Sequence, residues 1–349
     1  MDLSSFSLKH RHLVRAAVDF LVAHQSPRGD FQTPSSRCGY NEIYDAKAMF
    51  TVLQGVYMAR RDPPLQERYL ACLNRRLARF ARSQSPDGSL PLDSAGGPGF
   101  VSVTGAVAAV VKRLGELTDV TAHLPMAHRC LDYITGVFTP ENGFRTETNA
   151  NALNFHDPFP LYALALWRDE RPDAGALVGP ATEYITQGKV WNAEGGFWKA
   201  GFGIMKGFDM EQLPHPTLDL DRTWVLFETC GTKYAEQSHR SALAIQKNLE
   251  AIESYYTEDS VRFAETRTRT ALAALMATYD RYTGTRTFTN TQPFEELVSW
   301  SLSQFDEKEG GFRERVNLVT GQKEFYGVPA QYLSQYLFSC GLLNRDLSF

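Results

Sequence analysis

The sequence predicts an all-α protein, an (α/α)6 toroid built from six helical-hairpin repeats that fill residues 1–349 as one domain. Three observations predict it. A short phrase recurs six times along the chain, the stretches between its copies carry apolar residues at helical spacing, and period-two runs of β-branched residues are nearly absent.

The recurring phrase is an apolar helical run, then a turn carrying Gly with an acid or Gln, then an aromatic or Leu. Its copies, in chain order, are FLVAHQSPRGDF, FARSQSPDGSL, YITGVFTPENGF, YITQGKVWNAEGGF, the degenerate YYTEDSVRF and SLSQFDEKEGGF. The residues after the turns are Phe31, Leu90, Phe144, Phe197, Phe263 and Phe312, which gives steps of 59, 54, 53, 66 and 49. Each step has room for two helices and their connections. After the first turn, AKAMFTVLQGVYMA reads as an inner helix, and after the second TGAVAAVVKRLGEL does the same, both rich in Ala and apolar on broad faces. RRDPP, AGGPG and RPDAG punctuate the runs as turns. A lone hairpin cannot bury its apolar face, so the six must stack, and six such pairs close into a ring around a central cavity. Open armadillo or tetratricopeptide solenoids have shorter repeats, about 34 to 47 residues, without this turn.

Composition narrows the function. Lys and Arg total 36 against 40 Asp and Glu, a formal net charge of -4 with no long run of either sign, which argues against a nucleic-acid surface or a polybasic membrane anchor. The longest apolar stretches, Thr104–Val111 and Leu161–Trp167, fall short of the ~18 residues a membrane span needs. Lys9, Arg11 and Arg15 stand where an export signal would have its apolar core, so the expected location is the cytoplasm. Five scattered cysteines (Cys38, Cys72, Cys130, Cys230, Cys340) without CxxC spacing suit reduced thiols, and neither metal nor cofactor is expected.

In such a ring, the segment after each turn leads into an inner helix and lines one mouth of the cavity. Read for chemistry, these segments offer Tyr44 and Asp45 in the first repeat and Asn154, His156 and Asp157 in the third. The fourth offers Asp219, Asp221, Arg222 and Trp224, the fifth Arg267 and Arg269, and the sixth Lys323 and Tyr326. His156 beside Asp157 has the form of an oriented acid–base pair, although Asp157 before Pro158 also suits a helix cap. Asp219 likewise suits a cap, with Asp221 in the first turn. Guanidinium forks at Arg267 and Arg269 match carboxylate or phosphate groups of a substrate, or they make surface ion pairs of small value. Tyr44, Phe155, Trp191, Trp198, Trp224, Phe325 and Tyr326 could offer π faces to a cation or a sugar ring, and many of them will be core.

QSPDGS at Gln84–Ser89 followed by VSVTGAVAAVVKRLGEL resembles the repeat shared by squalene–hopene and other terpenoid cyclases and by protein prenyltransferase β subunits. The likeness runs at repeat level over nearly the whole chain. It is close only in the second turn, because the first has Arg28 where the acid belongs and the fifth lacks the glycine. In that family the Gln-x-x-Asp-Gly turn braces neighbouring helix ends. DLDRTW, Asp219 to Trp224, resembles the Asp-x-Asp-Asp-Thr-Ala motif of class II terpenoid cyclases, with Arg222 in place of the third Asp and Trp224 in place of Ala. The resemblance implies that Asp221 is a general acid protonating an alkene, with Asp219 as its first carboxylate.

Three functions compete on this reading. The first is acid-initiated cyclisation of an isoprenoid or related alkene, the substrate being a small molecule with or without an anionic group. The second is a toroidal carbohydrate-active enzyme, a lyase, hydrolase or epimerase, using His156, Asp157 or Asp221 as acid and base. The third is a non-catalytic toroid that binds a lipid or a partner. Prenyltransferases hold zinc with Asp, Cys and His, and the spacing of Asp221, Cys230 and His239 does not reproduce that set, so no zinc is expected. No phosphate-binding loop, nucleophile elbow or dinucleotide fingerprint is present.

Overall fold

The computed structural model describes residues 1–31, 42–92, 97–144, 158–200, 204–205, 208–209, 211–254 and 263–349. In chain order its helices are α1 (Leu3–Ala23), α2 (Glu42–Met58), α3 (Pro63–Ser83), α4 (Val101–Leu117), α5 (Leu124–Val137), α6 (Pro158–Trp167) and α7 (Pro172–Thr186). After these come α8 (Pro216–Cys230), α9 (Ala235–Lys247), the short α10 (Leu249–Ser254), α11 (Thr266–Thr283), α12 (Gln292–Ser303) and α13 (Val328–Ser339).

Two classes of helix follow from two kinds of sequence. α3 is amphipathic, and its buried residues Leu65, Tyr69, Cys72, Leu73, Leu77 and Phe80 form one stripe at helical spacing. α2, α4 and α13 are buried nearly all round, since their runs of Ala, Val, Leu and Phe leave no polar face. The fully buried class makes the inner ring: α2 packs on α4, α4 on α6, α6 on α8, α8 on α11, α11 on α13, and α13 returns to α2. α1, α3, α5, α7, α9 and α12 lie outside it, each against one or two inner helices. The (α/α)6 toroid read from the repeats is therefore the fold, and it closes.

The repeated turns brace this double layer. Gln84 Nε2 donates to Gly88 O across its own turn at 2.9 Å and to Met126 O of α5 at 3.1 Å. Gln25 does the same with Gly29 O and with Cys72 O of α3, at 3.0 and 2.9 Å. In these two turns one side-chain amide thus ties the turn to the next outer helix.

Short antiparallel ribbons sit where the chain passes from outer to inner helix. β1 (Trp191–Asn192) pairs with β2 (Phe197–Trp198), and β3 (Ile204–Met205) with β4 (Phe208–Asp209). β5 (Phe263–Glu265), just before α11, pairs with β8 (Arg315–Asn317), which pairs with β9 (Lys323–Glu324) ahead of α13. β6 (Phe305–Asp306) pairs with β7 (Gly311–Phe312). Among the described residues no helix is long and apolar enough to cross a membrane.

Candidate functional site

α2 and α8 stand three places apart in either direction around the ring, so they face each other across its centre. Lys47, in the second turn of α2, and Asp221, in the second turn of α8, meet there, Nζ donating to Oδ2 at 2.5 Å. Both are buried, with only 4% and 2% of their surfaces exposed. The pair is a bar across the lumen. The rings of Phe159 of α6 and Tyr332 of α13 stand 5.5 and 5.9 Å from the ammonium. Further along α2, Phe50 meets Phe159, Tyr162 and Trp224, with centroids 5.8 to 6.3 Å apart, and fills the lumen beyond the bar.

Toward the N-terminal ends of the inner helices the group continues. Arg267, at the start of α11, donates to the Tyr44 hydroxyl at 3.3 Å and through two nitrogens to Glu265 Oε2 at 2.8 and 3.1 Å. His215 caps α8 through its backbone conformation, and Thr217 donates to the Arg267 carbonyl at 3.1 Å. Electrostatics follow from this crowding. Burial pushes His215 down to about 3, helped by the cations Arg267, Lys47 and Arg222, so its imidazole is neutral across the physiological range. Burial raises the Asp221 carboxyl above its ordinary range, while Lys47 pulls the other way. The phenols of Tyr332 and Tyr336 are raised far above theirs by burial, so both remain hydrogen-bond donors.

The structure separates the sequence candidates. Tyr44, Asp221 and Arg267 come together as described. Asp219, two residues before Asp221, turns to the outer layer, where Ser241 of α9 donates to Oδ2 at 2.6 Å and Arg222 lies 3.6 Å from Oδ1. Arg222 also donates to the Lys199 carbonyl at 3.1 Å. Since α8 begins at Pro216, with His215 as its cap, Asp219 is not the capping residue. Burial pushes its carboxyl up to about 7, against the pull of Arg222 and Ser241.

Asp45 accepts from the Phe31 amide at 2.9 Å and forms an ion pair with Arg76 at 3.1 Å, inside a buried cluster in which Arg76 also meets Glu42 and Asp30. Arg269 forks onto Glu253 at 2.6 and 3.0 Å and stacks on Trp300, away from the lumen. Lys323 is exposed on β9 and donates to the Ser303 carbonyl. Tyr326 donates to Asp306 at 3.2 Å beneath the Arg313 guanidinium. The expectation that these four line the cavity is corrected by the helix period and the ribbons: each side chain is aimed between layers or at the surface. Trp224 is set beyond the bar, where with Arg113, Tyr162, Glu228 and Arg281 it borders a cavity of about 270 Å³ at the opposite end of the ring. Asn154, His156 and Asp157 lie outside the described residues.

Lys47, His215 and Tyr332 belong to the group and were not singled out from the sequence. The signal for Lys47 was its place one helical turn after Tyr44; for His215 it was the His-Pro step opening α8. Among the described residues no three His, Cys, Asp or Glu side chains converge as a metal site would require.

No protein-family profile matches the sequence, and no curated protein does. Solved structures do match the fold. A D-mannose isomerase superposes with a TM-score of 0.70 at 12% identity, over 97% of this chain and 98% of that one. Cellobiose 2-epimerase from Bacillus thermoamylovorans gives 0.65 at 13% identity, over 95% and 99%. The GH76A α-1,6-mannanase from Salegentibacter sp. gives 0.64 at 12%, over 97% and 98%. These are sugar enzymes on the same toroid. They overturn the terpenoid-cyclase expectation, and the lumen gives the physical reason. Asp221 is bound to an ammonium rather than held as a free acid, and charged and hydroxyl groups stand where a hydrocarbon would need apolar walls.

Proposed function

We propose that this chain is, over residues 1–349, a single-domain enzyme that moves a proton on a sugar, an isomerase or epimerase of a reducing sugar. The observation that carries the reading is the Lys47–Asp221 bar with Tyr44, Arg267 and His215 grouped above it. Removing the proton from the carbon beside an open-chain sugar's carbonyl needs a carboxylate or imidazole base. It also needs cations or donors for the charge that grows on the carbonyl oxygen. Asp221, made more basic by burial, is the base in this reading. Lys47 and Arg267 supply positive charge, and neutral His215 supplies a donor. His156 and Asp157 remain candidates for the second proton transfer. The reading requires no metal or organic cofactor.

Hydrolysis is the weaker alternative. A variant of the Salegentibacter mannanase with two consecutive aspartates replaced is inactive, and the 349 residues here contain no consecutive aspartates. Glycoside hydrolysis ordinarily uses two carboxyl groups facing one bond, whereas Asp219 and Asp221 diverge and Glu265 is held by Arg267.

The test is incubation with D-mannose, D-glucose and cellobiose in deuterium oxide, followed by proton NMR, beside a reducing-end assay on α-1,6-mannan. Deuterium at C2 of an epimer, or at C1 of a ketose, supports the proposal. New reducing ends from mannan alone would replace it with hydrolysis, and no change in any sugar would reject it.

A further inference from the structure

Two tyrosines of α13 lie one turn apart in the lumen, and only one of them has its hydroxyl engaged. Tyr336 donates to the Lys47 carbonyl at 3.3 Å, which fixes α13 to α2. Tyr332 is wholly buried, yet its hydroxyl has no hydrogen-bond partner among the described residues. Its ring lies 5.9 Å from the Lys47 ammonium and 5.5 Å from the Tyr336 ring, and its phenol feels the charges of Tyr44, Asp221 and Arg267. A buried hydroxyl left without a partner is desolvated with nothing in return, so a protein keeps one where something else completes it. Phenylalanine would fill the same space without that cost.

Resting on the reading of the site as a sugar proton-transfer centre, we infer that Tyr332 is a catalytic residue. Its hydroxyl donates to the carbonyl oxygen of the open-chain sugar, beside Lys47, and stabilises the negative charge that gathers there as the neighbouring C–H proton passes to the base. The proton leaves carbon for the base. A proton is then added to the opposite face of the same carbon in an epimerisation, or to the former carbonyl carbon, with the hydroxyl proton passing between the two oxygens, in an isomerisation. The phenol keeps its own throughout. The substrate class is a sugar able to open to an aldehyde or ketone, which a glycoside locked at its anomeric carbon cannot do.

Tyr332→Phe and Tyr336→Phe, each measured for melting temperature and for deuterium exchange into the sugar that the wild type turns over, test this. Tyr332→Phe should keep or raise the melting temperature and lower kcat by about 100-fold with little change in KM, the scale for removing one donor to a developing oxyanion. Tyr336→Phe should lower the melting temperature, having lost a made hydrogen bond. A Tyr332→Phe enzyme within threefold of wild-type kcat would overturn the inference while leaving the sugar reading in place. So would a loss of melting temperature in Tyr332→Phe equal to that in Tyr336→Phe, because the hydroxyl would then be structural. A wild type inert on every free sugar would remove the functional reading and this inference together.

Discussion

Asp219 and Asp221 are two residues apart on α8 and serve opposite sides of it: Asp221 reaches across the lumen to Lys47, and Asp219 reaches outward to Ser241 of α9. Two steps along an α-helix rotate a side chain by about 200°, so positions i and i+2 cannot share a face. A motif that reads as a carboxylate pair in one dimension is therefore one lumen carboxylate and one brace between layers. The same rotation puts Arg267 in the site and Arg269 on Glu253.

The Lys47–Asp221 pair should behave as a buried pair held for function rather than for stability. Asp221→Asn leaves the ammonium uncompensated in a dry lumen and should cost about 3–5 kcal/mol, whereas the Lys47→Met, Asp221→Leu double variant should be neutral or more stable. Urea denaturation of the two singles and the double measures the coupling. Additive losses would show that the pair is not a unit. In the sugar assay both Asp221→Asn and the double variant should lose about 100-fold or more in turnover, because the base is gone in each.

His215 and Asp219 pull stability in opposite directions between about pH 4 and 6.5. His215 has its folded value lowered to about 3, so the unfolded chain binds the extra proton and stability falls as pH drops below about 6.5. Asp219 has its value raised to about 7, so the folded chain binds the extra proton and stability falls as pH rises from about 4 through 7. The two slopes offset each other. Asp219→Asn removes one of them, and its unfolding free energy should rise with pH more steeply than the parent's, by up to about 1.4 kcal/mol per pH unit in that window. Parallel stability curves for the two proteins would contradict the assignment.

Arg76 offers a stability test away from the lumen. Its guanidinium is fully buried among Asp30, Glu42 and Asp45, which join the first turn, the start of α2 and α3. Arg76→Met keeps the stem but removes the cation that three carboxylates share, with Arg79 standing farther off at 3.7 Å from Asp30, and a loss of about 3 kcal/mol is expected from urea unfolding. Since α2 carries both Tyr44 and Lys47, turnover of the folded fraction should fall as well.

The ring was legible because its determinants are local: a turn phrase, with a glycine in five of its six copies, and helical periodicity between them. The centre of the site was less so. Lys47 and Asp221 are 174 residues apart, and only closure of the ring makes them partners. Lys47 and Tyr332 sit one turn inside apolar helices, where a single polar residue carries no pattern. Asp45 and Lys323 had the right phase in the repeat, yet the next 100° of helix or a strand's edge turned them elsewhere. The borrowed cyclase motif failed for a related reason: the shared turn encodes how hairpins stack, and the chemistry is set by whatever the lumen places opposite it.

Two glycines separate the demands of turn and helix. Gly88 in QSPDGS has φ +89°, and a Cβ there would stand 2.1 Å from the Arg129 carbonyl oxygen of α5. The left-handed conformation alone costs an L-residue about 1–2 kcal/mol, and the backbone clash can be relieved only by moving the turn off α5, against the grip of Gln84. Gly115, exposed in α4, has nothing within 4 Å of its added Cβ and no such conformation. Gly88→Ala should therefore cost at least about 2 kcal/mol, while Gly115→Ala should add about 0.5–1 kcal/mol by lowering the entropy of the unfolded helix segment. Thermal melts of the two single variants check both signs at once. A neutral Gly88→Ala would show that the turn does not press on α5 as the brace requires.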